Sequence, residues 1–172
     1  RQIAEQSGVT KSLIHHHFGS KDALWEATKE QALAQYVAEQ MAELEQATTV
    51  DGTLLRDGVI NYFRFLQDNP QVVRLLAWTH MEGDTTCGQM DAALASLGAD
   101  RVRQAQAAGV FRDDVKPMHV VTMFVLVCSQ WFHAKSHHAQ WPGTGTDEEF
   151  LHDFLAIYMD GLKAPARPAR AT

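Results

Sequence analysis

Residues 21 to 45 run for twenty-five positions without a glycine or a proline, and the run is rich in Ala, Glu, Gln and Leu. These residues lose little side-chain freedom in a helix, so the run predicts a single long helix acting as a connector between lobes. The helical period continues on both sides. Apolar residues recur three and four apart, strand-like alternation is nearly absent, and the breaks fall at Gly, Pro and capping residues. A short helix is expected over residues 2 to 7, then a turn at Gly8 and a second short helix capped by Thr10 and running to about His17. Ser20 caps the long helix. Further helices are expected from Asp51 or Thr53 to Asp68, from Gln71 to Met81, and from Cys87 to Ala108 with kinks at Gly88 and Gly98. Two more are expected from Pro117 to Lys135 and from Asp147 to Leu162, with His137 to Thr146 as loop. Lys163 to Thr172 has little to bury and reads as disordered. The fold class is all-α, a small amino-terminal unit followed by a larger helical bundle.

Charge limits the partners. The 172 residues carry 15 Lys and Arg against 21 Asp and Glu, a formal net charge of -6. Such a chain is no general polyanion binder, and contact with a duplex needs a local basic or neutral face. Between Arg1 and Lys21 the balance turns the other way, with Arg1, Lys11 and Lys21 against Glu5. Cys87 and Cys128 lack metal-site spacing and cannot make a disulfide framework, so a reducing cytoplasm is expected. The longest apolar run, Val120 to Cys128 interrupted by Thr122, is too short to cross a bilayer. The sequence has no nucleophile elbow, glycine-rich phosphate loop or H-E-x-x-H, so neither a cofactor nor an enzyme is expected. A His–acid pair such as His80 with Glu82 or Asp84 stays open.

The first two helices have helix-turn-helix spacing. Ala4 is small where the helices approach, Gly8 takes the turn, and Val9 and Ile14 are expected to face inward with Ile3, joined by Leu13 or Phe18. The second helix then exposes Lys11, Ser12, His15 and His16. In a major groove Lys11 can donate to guanine, Ser12 and an imidazole can donate or accept, and Leu13 can meet a thymine methyl. Lys21 and the amides beside Ser20 can hold a phosphate. His15, His16 and His17 point about 100° apart in turn, so they do not converge on one metal ion.

The string VTKSLIHHHFGSKDAL resembles the recognition helix and following turn of the TetR family of bacterial transcriptional repressors, with Val9, Thr10, Lys11, Ser12, Ile14, His17, Phe18, Lys21 and Leu24 in the matching positions. The resemblance implies that Lys11, Ser12, Leu13 and His16 lie nearest the bases. It also implies that His15, His17 and Lys21 hold the phosphates, with Thr10 at the head of the helix. His15 stands where the family commonly has Tyr, which makes that phosphate contact shorter in reach and pH-sensitive. The family has one more helix before this motif, so a segment preceding Arg1 is expected in the native chain. The resemblance fades after about Ala27. It implies a DNA-binding unit over residues 1–28, a ligand-binding and dimerisation unit over 29–162, a tail over 163–172, and a homodimer on a palindromic operator.

In the bundle, surplus apolar surface on the last two long helices marks a dimer interface, with Val120, Val121, Phe124, Val127, Cys128 and Trp131 on one and Phe150, Phe154, Ile157, Tyr158 and Gly161 on the other. A small, largely apolar effector is expected among Tyr62, Phe63, Leu66, Trp78, Met81, Met90, Leu94 and Met123, with Arg74, His80 or His119 as a polar anchor. His133 and His137 stand four apart with His138 adjacent, but no carboxylate or Cys completes a metal set, and a surface pair is expected. The expected function is a ligand-released repressor. The alternatives are a dimeric small-molecule or metal-binding helical protein with a vestigial helix-turn-helix and, further off, an all-helical enzyme.

Overall fold

The computed structural model describes residues 2–84, 89 and 91–165. Arg1, Cys87, Gly88, Met90 and the tail beyond residue 165 lie outside the described residues. The elements are α1 (Gln2–Ser7), α2 (Lys11–Phe18), α3 (Lys21–Gln46), α4 (Thr53–Asp68), α5 (Pro70–Met81), α6 (Ala92–Ala107), α7 (Pro117–His133), α8 (Lys135–His138) and α9 (Asp147–Leu162). Among the described residues every regular element is a helix, and a single β-bridge pairs Phe111 with Lys163. None of these helices is long and apolar enough to cross a membrane. The chain divides inside α3 into two compact units, Arg1–Gln35 and Tyr36–Thr172.

Helix ends follow local chemistry. Pro70 and Pro117 each open a helix, where their fixed φ suits the first turn and no N–H is wasted. At the head of α9 the Thr146 hydroxyl accepts from the Glu149 amide while the Glu149 carboxylate accepts from the Thr146 amide, a complete capping box. This pairing holds the Glu149 carboxyl below its ordinary range.

The described part of the sixth helix runs from Ala92 to Ala107 with Gly98 within it, its expected start at Cys87 and kink at Gly88 lying outside the described residues. Two segments depart from the sequence reading. The seventh helix stops at His133 because Ala134 leaves the helical region, and a short turn of helix over Lys135–His138 occupies part of the expected loop. Lys163 and Ala164 are tied down by the bridge to Phe111: Ala164 N–H donates to Val110 O at 3.3 Å, and Arg112 N–H to Leu162 O at 2.8 Å. Both strands of that contact have backbone groups that the helices leave unsatisfied, and the bridge satisfies them.

The second unit is built around α7, which packs against α4, α5 and α6. Val59, Tyr62, Phe63 and Leu66 occupy one face of α4 at helical spacing and are buried, as are Val120, Val121, Cys128 and Trp131 of α7. The inward face of α6 is made of small residues, with Ala99, Val102 and Ala105 buried, and a Cβ placed on Gly98 would lie 3.5 Å from Val121. Trp131 lies between the His138 imidazole at 4.0 Å and the Phe150 ring at 3.7 Å, both nearly parallel to it. Its indole N–H donates to Asp147 Oδ1 at 3.0 Å, and Lys135 and Gln67 reach Asp147 Oδ2 at 2.6 and 3.3 Å. Burial pushes the Asp147 carboxyl upward, but the hydrogen bonds from Lys135 and Trp131, the Lys135 charge and the Gln67 amide outweigh it and hold the group below its ordinary value.

Two stability predictions follow from this packing. Truncating the fully buried Phe63 to Ala should cost about 3–5 kcal/mol, read from the urea-unfolding midpoint at constant protein concentration. A carboxyl depressed on folding stabilises above its unfolded pKa, and that contribution fades as pH falls through the folded value. Asp147→Asn should therefore lower stability at neutral pH and flatten the loss that the wild type shows below about pH 4. Thermal melts from neutral to acid pH measure both effects.

Candidate nucleic-acid interface

Short-range interactions fix the geometry of α1 and α2. Gly8 turns the chain at φ 71°, a conformation that strains any side-chain-bearing residue. Thr10 is extended, and its hydroxyl accepts from Leu13 N–H at 3.1 Å, capping α2. Gly19, at φ 75°, closes the helix with its N–H on His15 O at 2.8 Å. One residue on, the Ser20 hydroxyl accepts from Ala23 N–H at 3.0 Å and starts α3. The Gly8 turn and the Thr10 and Ser20 caps are those expected from the sequence. A capping hydroxyl keeps its own proton, so Thr10 can still donate to an oxyanion beyond the helix.

The half-buried side chains of α2 are Ile14 and Phe18, four residues apart on one face. Every residue expected to contact DNA is exposed: Thr10, Lys11, Ser12, Leu13, His15, His16, His17 and Lys21. At about 100° per residue, Ser12, Leu13 and His16 stand opposite the Ile14 and Phe18 face, while His15 and His17 lie on the two flanks. The His17 ring meets Phe18 edge-on with centroids 4.7 Å apart. Among the described residues no group of three His, Cys, Asp or Glu side chains is placed to hold a metal ion.

Two expectations for this unit are corrected. Ile3 is 51% exposed and Val9 39% exposed, so neither joins Ile14 in an interior. With six and eight residues, α1 and α2 are too short to enclose a core, and neither contains a buried residue.

Residues 1–28 match the family model described as "Bacterial regulatory proteins, tetR family". Residues 55–154, more than half of the chain, match "Tetracyclin repressor-like, C-terminal domain". The chain belongs to the TetR family. It is a DNA-binding transcriptional regulator. The fold is shared with a solved structure of a candidate transcriptional regulator from Streptomyces coelicolor, 18% identical, with a TM-score of 0.71 over 95% of this chain and 86% of that one. No curated protein matches the sequence.

In this TetR-family bundle the expected effector residues differ in burial among the described residues. Tyr62, Phe63 and Leu66 are core, Leu94 is half-buried, and Arg74, Trp78, Met81, His80, His119 and Met123 are exposed. Met90 lies outside the described residues. The reason is helical phase: α5 turns Val72, Val73 and Thr79 inward, which places Arg74, Trp78 and Met81 on its outer side. An aromatic nest stands out instead. Tyr36 stacks on Phe65 at 4.5 Å and lies 5.7 Å from Tyr62, which meets Phe124 at 6.1 Å and shares a hydroxyl hydrogen bond with Ser129 at 2.8 Å. Burial, then the neighbouring Tyr62, Cys128, Asp91 and Glu43, keep the Tyr36 hydroxyl far above its ordinary range. Burial also raises the Asp91 carboxyl, which makes no cap on its own helix α6. Tyr36 went unnoticed in the sequence because it sits in a run that reads as a connector, where nothing marks an inward face.

The expected dimer residues also divide by phase. Val120, Val121, Cys128, Trp131 and Tyr158 are buried within the single chain and have little surface to offer a partner. Phe124, Phe150 and Phe154 are half-buried, and Val127, Ile157 and Gly161 are exposed. The outward face of α7 carries His119, Thr122, Met123, Leu126, Val127 and Gln130, with Leu126 62% exposed, and that of α9 carries Ile157, 76% exposed. His133 and His137 diverge because the helix breaks between them. His133 Nε2 bonds Val73 O at 3.0 Å beside the His80 ring, while His137 meets Trp141 edge-on at 5.5 Å. Burial lowers the His133 pKa, the bond to Val73 opposing it and the His80 charge adding to it.

Proposed function

We propose that the protein is a homodimeric repressor that binds a palindromic operator and is released by a small, largely apolar ligand. The observation that carries this reading is the fully exposed contact face of α2, presented at both ends by ordered caps in a chain of the TetR family. Residues 1–28 serve as the DNA-binding unit and 29–162 as the ligand-binding and dimerisation unit. Lys11, Ser12, Leu13 and His16 read base edges, and Thr10, His15, His17 and Lys21 hold the phosphates.

The dimer brings together the outward faces of α7 and α9. Met123, Leu126 and Val127 of α7 and Ile157 of α9 are exposed apolar side chains, and the polar Gln130 and Asp160 on the same helices are exposed as well. An isologous contact of this kind gives the twofold axis that a palindrome requires, with recognition helices roughly 34–36 Å apart. The ligand lies against the rings of Tyr36, Tyr62, Phe65 and Phe124, whose apolar walls and few hydroxyls suit it. It acts by preferring a dimer in which that separation is wrong for DNA, and its effect is limited by this preference.

Selection from a randomised duplex pool at two salt concentrations tests the DNA reading. A palindrome should be enriched, its affinity should fall as salt rises, and Lys11→Ala should weaken it by about 1–3 kcal/mol. Enrichment without symmetry would count against a dimeric reader. The interface is tested separately: Leu126→Glu with Ile157→Glu should sediment as a monomer with unchanged helical circular dichroism, and should lose the palindrome. A double variant that stays dimeric would place the interface elsewhere.

A further inference from the structure

A protein that grips a polyanion normally brings net positive charge to the contact. This one does not. Residues 1–28 hold three permanent cations, Arg1, Lys11 and Lys21, against three carboxylates, Glu5, Asp22 and Glu26, so the segment is formally neutral within a chain of net charge -6. What the contact helix does carry is three exposed imidazoles in succession, His15, His16 and His17. Histidine is the side chain whose ordinary charge change falls between about pH 5 and 8.

Their placement separates their roles. His16 projects opposite the half-buried Ile14 and Phe18, and His15 and His17 project to the two flanks of the exposed face. The charged groups around α2 are Glu5 on α1, Lys11 on α2 itself, and Lys21, Asp22 and Glu26 at the start of α3. Glu26 accepts from the Lys29 ammonium at 2.9 Å. The imidazoles of His15 and His16 make no side-chain hydrogen bond among the described residues, and His17 lays its ring edge-on to Phe18.

We infer that His15 and His17 bind operator phosphates as imidazolium ions, so that operator binding takes up protons from solution. The inference rests on α2 being the operator-contact helix. Each ring that is neutral in the free protein gains one proton from solvent as its N–H meets a phosphate oxygen. The bound state thus holds more protons than the free state, and affinity rises as pH falls. Each proton taken up contributes up to about a tenfold change in affinity per pH unit. Each imidazolium–phosphate contact also adds about 0.9 to the slope of log affinity against log salt, so the salt dependence is steeper in mild acid than in mild base. Operator occupancy is then set jointly by effector and by pH, with no separate pH-sensing element.

The test uses the full-length protein and a fluorescent duplex selected from a randomised pool. Anisotropy titrations run from about pH 6 to pH 8 at fixed ionic strength, within the range where histidine changes charge. The wild type should bind more tightly toward acid, and His15→Gln with His17→Gln should flatten the profile at weak affinity. His15→Lys with His17→Lys should flatten it at strong affinity, since the charge is then permanent. Thermal melts confirm that both double variants remain folded. A wild-type profile that is flat while the selected duplex is still bound overturns the proton coupling alone, as does a slope that survives in the Gln double variant. Failure to enrich any duplex at either end of the pH range overturns the operator reading as well.

Discussion

The bundle depends on hiding α7. Its seventeen residues, Pro117 to His133, contain too much apolar surface for one exposed side, and the inner half is covered by α4, α5 and α6. Burial on that scale is what orders the neighbours: α4 turns Val59, Phe63 and Leu66 toward α7, and α6 buries Ala99 and Val102, with Gly98 beside Val121. Trp131 joins this packing to the last helix through stacked rings and the Asp147 carboxylate. Tyr158 adds a hydrogen bond from its hydroxyl to Val120 O at 2.5 Å, which brings α9 onto the carbonyl of a wholly buried α7 residue.

What could be read from the sequence, and what could not, follows the range of the interactions. Thr10, Gly8 and Ser20 act within four residues of themselves, and their caps and turn were legible from spacing alone. The helix α2 is a local object of this kind, so the exposure of Lys11, Ser12, His15 and His16 was legible too, while that of Val9 was not. The burial of Val120, Cys128 and Tyr158 depends on which face of each helix meets a distant element, and an apolar run such as Val120 to Cys128 has no polar stripe to mark its phase. The interior and the outward face of α7 were therefore pooled. Ala134 illustrates the same limit on a smaller scale. Alanine is the best helix former, yet here it interrupts a helix, because His138 turns back to stack on Trp131 and to bond its carbonyl at 2.8 Å.

The two units also differ in how closely their chemistry is specified. A DNA-contact helix needs its side chains outside, and a short capped helix with one half-buried edge supplies that with few constraints. The aromatic nest draws on several helices at once, and its residues meet only through packing. Tyr36, Phe65, Tyr62 and Phe124 come from α3, α4 and α7, and no spacing in the sequence joins them.

The Cys128 thiol has no exposed surface, and burial pushes its pKa up to about 12. A thiol in that state offers almost no thiolate to an electrophile or oxidant while α7 stays covered. Oxidative stress thus passes this sulfur by, and the sulfur becomes a clock for the core instead. In a Cys87→Ser background, each alkylation of Cys128 records one opening of the bundle, and the rate of labelling measures how often the helices around α7 part.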